Sequence, residues 1–117
     1  MKILKRPIAF HKLKEMAADT FGDMVKAVVD VEKKVIAIDA ELHSDLEALL
    51  LERGSKQNDL WGINIYPDMK GDGFVEFDAM INVRPSQNNK SRSVEDENTR
   101  KQIVAILRGK IKDSLSA

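Results

Sequence analysis

Apolar residues recur along this chain at two periods, and the period changes several times. Lys2–Lys5 reads as a short edge strand. From Ile8 to about Thr20 the spacing is helical, with Leu13, Met16 and Ala17 on one face and Gly22 placed as a C-terminal stop. Met24–Val31 is β-branched and alternates, Val25, Ala27, Val29 and Val31 on one side against Lys26, Val28 and Asp30 on the other. Glu32-Lys33-Lys34 forms a polar turn, and Val35–Ala40 returns as a strand apolar on both faces, hence inside a sheet. A second helix follows over 41–55, with Leu42, Leu46, Leu49 and Leu50 on one stripe, Ser44 and Glu47 at capping-box spacing, and Gly54 as its stop. Leu60–Pro67 alternates, Trp61, Ile63 and Ile65 opposite Asn64 and Tyr66.

After the turn-rich connection Asp68–Gly73, the stretch 74–84 alternates again. Val75, Phe77, Ala79, Ile81 and Val83 take one face; Glu76, Asp78, Asn82 and Arg84 take the other. This predicts a strand antiparallel to 60–66. A polar loop, Arg84–Ser93, then leads into a last helix from Val94 to about Leu115, striped by Ile103, Leu107 and Ile111. Ser93 with Asp96 matches a capping pattern, and Glu95, Asp96 and Glu97 suit the positive end of the helix dipole. The expectation is an α+β fold in the order α-β-β-α-β-β-α. It has a four-stranded, mainly antiparallel sheet and about three helices, mostly on one face of it.

Composition narrows the setting. A chain of 117 residues with 43% hydrophobic and 32% charged positions is expected to be one domain, 1–117, with its own core. Nineteen basic residues balance nineteen acidic ones, so no global charge draws the protein to nucleic acid or to an anionic membrane. Neutrality also does little to oppose self-association, and a homodimer is expected. Cysteine is absent, which removes disulfides, thiolate metal sites and cysteine nucleophiles and suits the cytoplasm. No signal peptide or membrane span is expected, and no sequence pattern points to a cofactor.

Three stretches carry a resemblance: FGDMVKAVVDVE (21–32), ELHSDLEALLLERGSKQNDLWGINIYP (41–67) and INVRPSQNNKSRSVED (81–96). The chain resembles a small prokaryotic family catalogued only as a domain of unknown function. The resemblance spans nearly the whole length and implies one compact domain in the cytoplasm of a bacterium or archaeon. It brings no activity, cofactor or catalytic residue.

Three groups of residues are able to carry chemistry. In the 84–93 loop, Arg84, Lys90 and Arg92 gather near a helix start, where free N–H groups and the dipole favour an anion. The acids at 95–97 oppose that reading and favour a solvated loop with a capped helix. The second group is the polar face of the last two strands, where Asn64, Tyr66, Asp78, Asn82 and Arg84, extended by Asn89 and Arg92, would hold a small anionic ligand. Arg84 would anchor it and the two asparagines would orient it. The competing reading is an ordinary solvated sheet face. The third group, Glu41, His43 and Asp45, is able to share a metal across one helical turn, although acids also collect at helix starts for electrostatic reasons.

The preferred reading is therefore a non-catalytic module binding a ligand or partner. One alternative is a metal-assisted hydrolase using Glu41, His43, Asp45 and Asp78. The other, less favoured, is a nucleic-acid binder working through Lys90, Arg92 and Arg100.

Overall fold

The computed structural model describes residues 1–112. Five strands make the main sheet: β1 (Lys2–Leu4), β3 (Val25–Asp30), β4 (Val35–Ile38), β5 (Leu60–Ile65) and β6 (Val75–Glu76). Their order across the sheet is β1-β4-β3-β5-β6, and every pairing is antiparallel. A second, two-stranded parallel pair joins β2 (Ile8–Ala9) to β7 (Ile111–Lys112). The helices are α1 (Phe10–Asp19), α2 (His43–Glu52) and α3 (Glu97–Lys110).

The alternation read in β3, β4 and β5 sorts their side chains onto two faces. Val25, Ala27, Val29, Ile36, Ile38, Trp61, Ile63 and Ile65 pack with Leu13 and Ala17 of α1 and Ile103, Ile106 and Leu107 of α3. Val28, Ala37 and Leu60 pack with Leu46 and Leu50 of α2 on the other side. The helices thus divide two to one across the sheet. This explains why β4 is apolar on both faces: it is covered on both.

The β3–β4 hairpin is held by its own chemistry. Buried Asp30 ends β3, and its carboxylate accepts the backbone N–H of Glu32 and Lys33, both at 2.9 Å, and the Ser55 hydroxyl at 2.6 Å. Lys34 completes the turn at φ +58°. Gly22 and Gly54 follow α1 and α2 at φ +94°, the left-handed conformation expected of helix stops.

Several expectations are corrected. The sheet has five strands rather than four, because the short edge strand 2–4 joins it by pairing with β4; 75–76 pairs antiparallel with β5 as expected. The predicted strand 74–84 is regular only at Val75–Glu76; a 3-10 turn occupies Met80–Asn82. Its apolar residues do not share a face: Val75 and Phe77 join one core cluster, Ile81 joins the other, and Met80 and Val83 are exposed.

The first helix begins at Phe10, since Ile8–Ala9 pairs with β7. The last begins at Glu97 with Asp96 as its N-cap, accepting the Thr99 N–H at 2.9 Å, and ends at Lys110. The remainder of the expected run to Leu115 lies outside the described residues beyond Lys112. Ser44 does not cap α2: Leu42 holds that position with no side-chain cap.

Candidate functional site

The outer edge of β5 is where the predicted residues meet. Its main chain is satisfied in sequence, but by different means along its length. Tyr66 donates its N–H to Phe74 O at 2.9 Å, and Asn64 pairs with Glu76 as an ordinary ladder. Beyond that point the partner is a side chain. Asn82 accepts the Gly62 N–H on Oδ1 at 2.8 Å and donates from Nδ2 to Gly62 O at 3.0 Å and to Arg92 O at 3.0 Å. A carboxamide carries the same donor and acceptor as a peptide unit, so Asn82 replaces one rung of the missing strand. Position 62 must be small for this approach, because a Cβ there would stand 2.5 Å from the Ala79 Cβ.

Arg84 continues the series. Its guanidinium donates to Leu60 O at 2.5 Å and to Gln57 O. It also stacks on Trp61, 4.2 Å from the ring centroid. Burial holds it below its ordinary value, and Glu47 on α2 acts on it in the opposite sense. Buried Asn89 organises the following loop: Nδ2 donates to Asn82 O at 2.8 Å, Ser91 O at 3.2 Å and Ser93 O at 2.6 Å, while Oδ1 accepts the Glu95 N–H at 2.9 Å. Asn82, Arg84 and Asn89 are therefore buried and committed to the fold; they do not form a solvated polar face. Alternation alone could not show this. The nearest sequence signal was Gly62, the gap against which a large polar side chain could press.

The acids at 95–97 also divide their work. The Glu95 carboxylate accepts the backbone N–H of Lys90 and Ser91, at 2.9 and 2.8 Å, and these bonds with Ser91 and Lys90 hold it below the ordinary carboxylate range. Asp96, lowered by its bonds to Thr99, caps α3. Arg100 turns inward, donating to Val94 O at 2.5 Å and to Ser93 Oγ at 2.6 Å.

A second group of predicted residues does line a cavity. A cleft of about 280 Å³ lies on the α2 side of the sheet, bounded by Lys26, His43, Ser44, Asn64, Asp78 and Arg92 and by the apolar Met24, Leu42, Met80 and Ile81. Asn64 is 6% exposed. Its Nδ2 donates to Glu76 Oε1 at 2.8 Å and Asp78 O at 3.2 Å, whereas its Oδ1 is buried and meets no donor at hydrogen-bond distance among the described residues, the side chain otherwise acting only on the neighbouring His43 ring. His43, from the start of α2, lies beside it with Nε2 2.8 Å from Ile63 O. A carbonyl only accepts, so Nε2 carries the proton. Burial depresses the imidazole below its ordinary value, the bond to Ile63 partly opposing this, and the nearby Lys26 lowers it further. At neutral pH this favours the uncharged ring.

At the mouth, Arg92 Nε donates to Asp78 Oδ1 at 2.6 Å, both side chains about half exposed. Tyr66 stands apart, donating its hydroxyl to Glu76 at 3.1 Å; burial and that carboxylate raise it above its ordinary value. Glu41 and Asp45 do not line the cleft. Among the described residues no three His, Asp or Glu side chains gather closely enough to hold a metal ion. Among them, too, no helix is long and apolar enough to cross a membrane.

Residues 2–110 match the family model described as a protein of unknown function (DUF5674), and the chain belongs to that family. No curated protein and no solved structure matches it significantly.

Proposed function

We propose that this is a small, non-catalytic cytoplasmic binding module. It takes a small polar anion carrying at least one hydrogen-bond donor into the cleft between α2 and β5. One observation carries the reading. Asn64 lines the cleft, its Oδ1 is buried with no donor at hydrogen-bond distance among the described residues, and a buried acceptor of this kind costs about 1–3 kcal/mol unless something donates to it. A ligand N–H or O–H supplies that bond. Lys26 provides positive charge for an anionic group, Arg92 being already paired with Asp78 at the mouth, and Met24, Met80 and Ile81 provide apolar contact. Neutral His43, its Nε2 proton occupied by Ile63 O, fixes one wall.

The test is an amide-resolved NMR titration with a panel of small hydroxy- and amino-carboxylates. The expected result is saturable shifts centred on Lys26, His43, Asn64 and Arg92, lost in Asn64→Leu and weakened in Lys26→Ala. If the panel moves none of these amides, or moves them equally in Asn64→Leu, the reading is overturned.

A further inference from the structure

On the opposite face of the sheet lies a larger groove, of about 860 Å³, independent of the cleft. Phe10 and Lys14 of α1 form one bank, and Arg100, Val104, Leu107 and Arg108 of α3 form another. The 67–74 connection, Val75 and Phe77 close the third side. The chain has four phenylalanines, and three of them, Phe10, Phe74 and Phe77, line this groove. All three are only partly buried although they pack against the core. An aromatic-poor protein that leaves half its large rings facing one groove presents an apolar surface suited to an apolar ligand.

The polar groups of the groove are not neutral in sum. Lys14, Lys70, Arg100 and Arg108 face two carboxylates, Asp68 and Asp72. Asp68 is matched by Lys14 at 3.1 Å. Arg100 stacks 4.7 Å from the Phe77 centroid, joining charge to apolar wall. Lys70 and Arg108 are exposed and form no ion pair among the described residues.

From this combination we infer that the groove binds a free single-chain carboxylate. The alkyl chain lies along Phe10, Phe74, Phe77 and Leu107, and the headgroup is met by Lys70 and Arg108. The charge complementarity selects an anionic amphipath over a cationic or neutral one, and the recessed aromatic walls suit one chain rather than a bilayer surface.

Sodium decanoate, kept below its micelle concentration, is the probe. Titrated into the isotope-labelled protein, it should shift amides of α1, the 67–74 connection and α3 and leave those of His43 and Asn64 in place. Decyltrimethylammonium, with the same tail and opposite charge, should not saturate the site. The double variant Lys70→Glu with Arg108→Glu, at two exposed positions, should weaken decanoate roughly tenfold, as expected on losing two partly screened ion pairs. Val104→Trp, which fills the groove from α3, should abolish binding while circular dichroism is unchanged. The proposal is overturned if decanoate and the cationic probe shift the same amides equally, or if the double charge reversal leaves the affinity unchanged. Co-sedimentation with phosphatidylglycerol vesicles in the absence of decanoate binding would overturn it as well. Because the shifts expected here avoid the α2 cleft, failure of this site leaves the reading of the cleft untouched, and the reverse holds equally.

Discussion

The two edges of the sheet achieve the same end by different chemistry. At one edge, β1 pairs with β4 and β4 with β3 through main-chain ladders of regular register, Lys2 opposite Ile38 and Ala27 opposite Ile38. At the other, β6 supplies only two rungs to β5. The rest of that edge is completed by the Asn82 carboxamide and the Arg84 guanidinium. A main-chain ladder is indifferent to most side-chain changes, since its donors and acceptors belong to every residue. A side-chain ladder concentrates the same bonds in two residues. The difference predicts an uneven map of mutational sensitivity along one sheet.

The largest effect is expected at Asn82. Asn82→Ala removes the partners of Gly62 N–H and Gly62 O at a buried position. Two orphaned main-chain groups should cost about 3–4 kcal/mol. At the opposite edge, Lys2→Ala leaves its ladder intact and should change stability by less than about 0.5 kcal/mol. Chemical denaturation of both variants makes the comparison. Similar small losses in the two would show that the Asn82 bonds are dispensable and that the two edges do not differ in kind.

A middle-sized effect is expected from Arg84→Lys. One ammonium has no planar fork to serve Leu60 O and Gln57 O together, and it loses the stacking on Trp61. The loss should be about 2 kcal/mol. Hydrogen exchange should accelerate at amides near the Leu60 end of β5 while those of β4 stay protected. A uniform acceleration would mean that Arg84 supports the whole core rather than this edge.

The contrast also decides what the sequence made legible. Periodicity found β3, β4, β5 and the buried stripes of α1 and α3, because alternation and helical spacing report which side of a regular element faces a core. It failed over 74–84 because the same alternation fits a segment that turns at Met80–Asn82 and sends Phe77 and Ile81 to opposite faces of the sheet. Whether a polar residue faces water or replaces a peptide unit is not encoded in its period. Of the anticipated binding residues, Asn64, Asp78 and Arg92 do line one cleft. In the sequence Lys26 is only a polar strand position and His43 groups only with Glu41 and Asp45, because spacing does not say which face of the sheet α2 will cover.

The smallest and most specific effect concerns pH. The irregular edge has a further support in His43, whose Nε2–H reaches Ile63 O from α2. Burial lowers this imidazole from 6.5, and Lys26 on β3 lowers it further, while the Ile63 carbonyl, Asn64 and Asp78 act the other way. The sign follows from linkage. Well above pH 6.5 the ring is neutral in both folded and unfolded chains, so it contributes no pH dependence there. As pH falls below that value the unfolded chain takes up the proton first, and folding stability declines until the folded-state value is passed. Replacing His43 with Gln keeps an N–H donor for Ile63 O but removes the titration. Stability measured between pH 7 and pH 5 should fall less steeply in His43→Gln than in the parent, and hydrogen exchange at the β5 amides facing α2 should lose its acid sensitivity. Parallel pH profiles for the two proteins would show that His43 does not titrate across folding. The support of Ile63 would then be a fixed contact, as rigid as the ladders of the opposite edge.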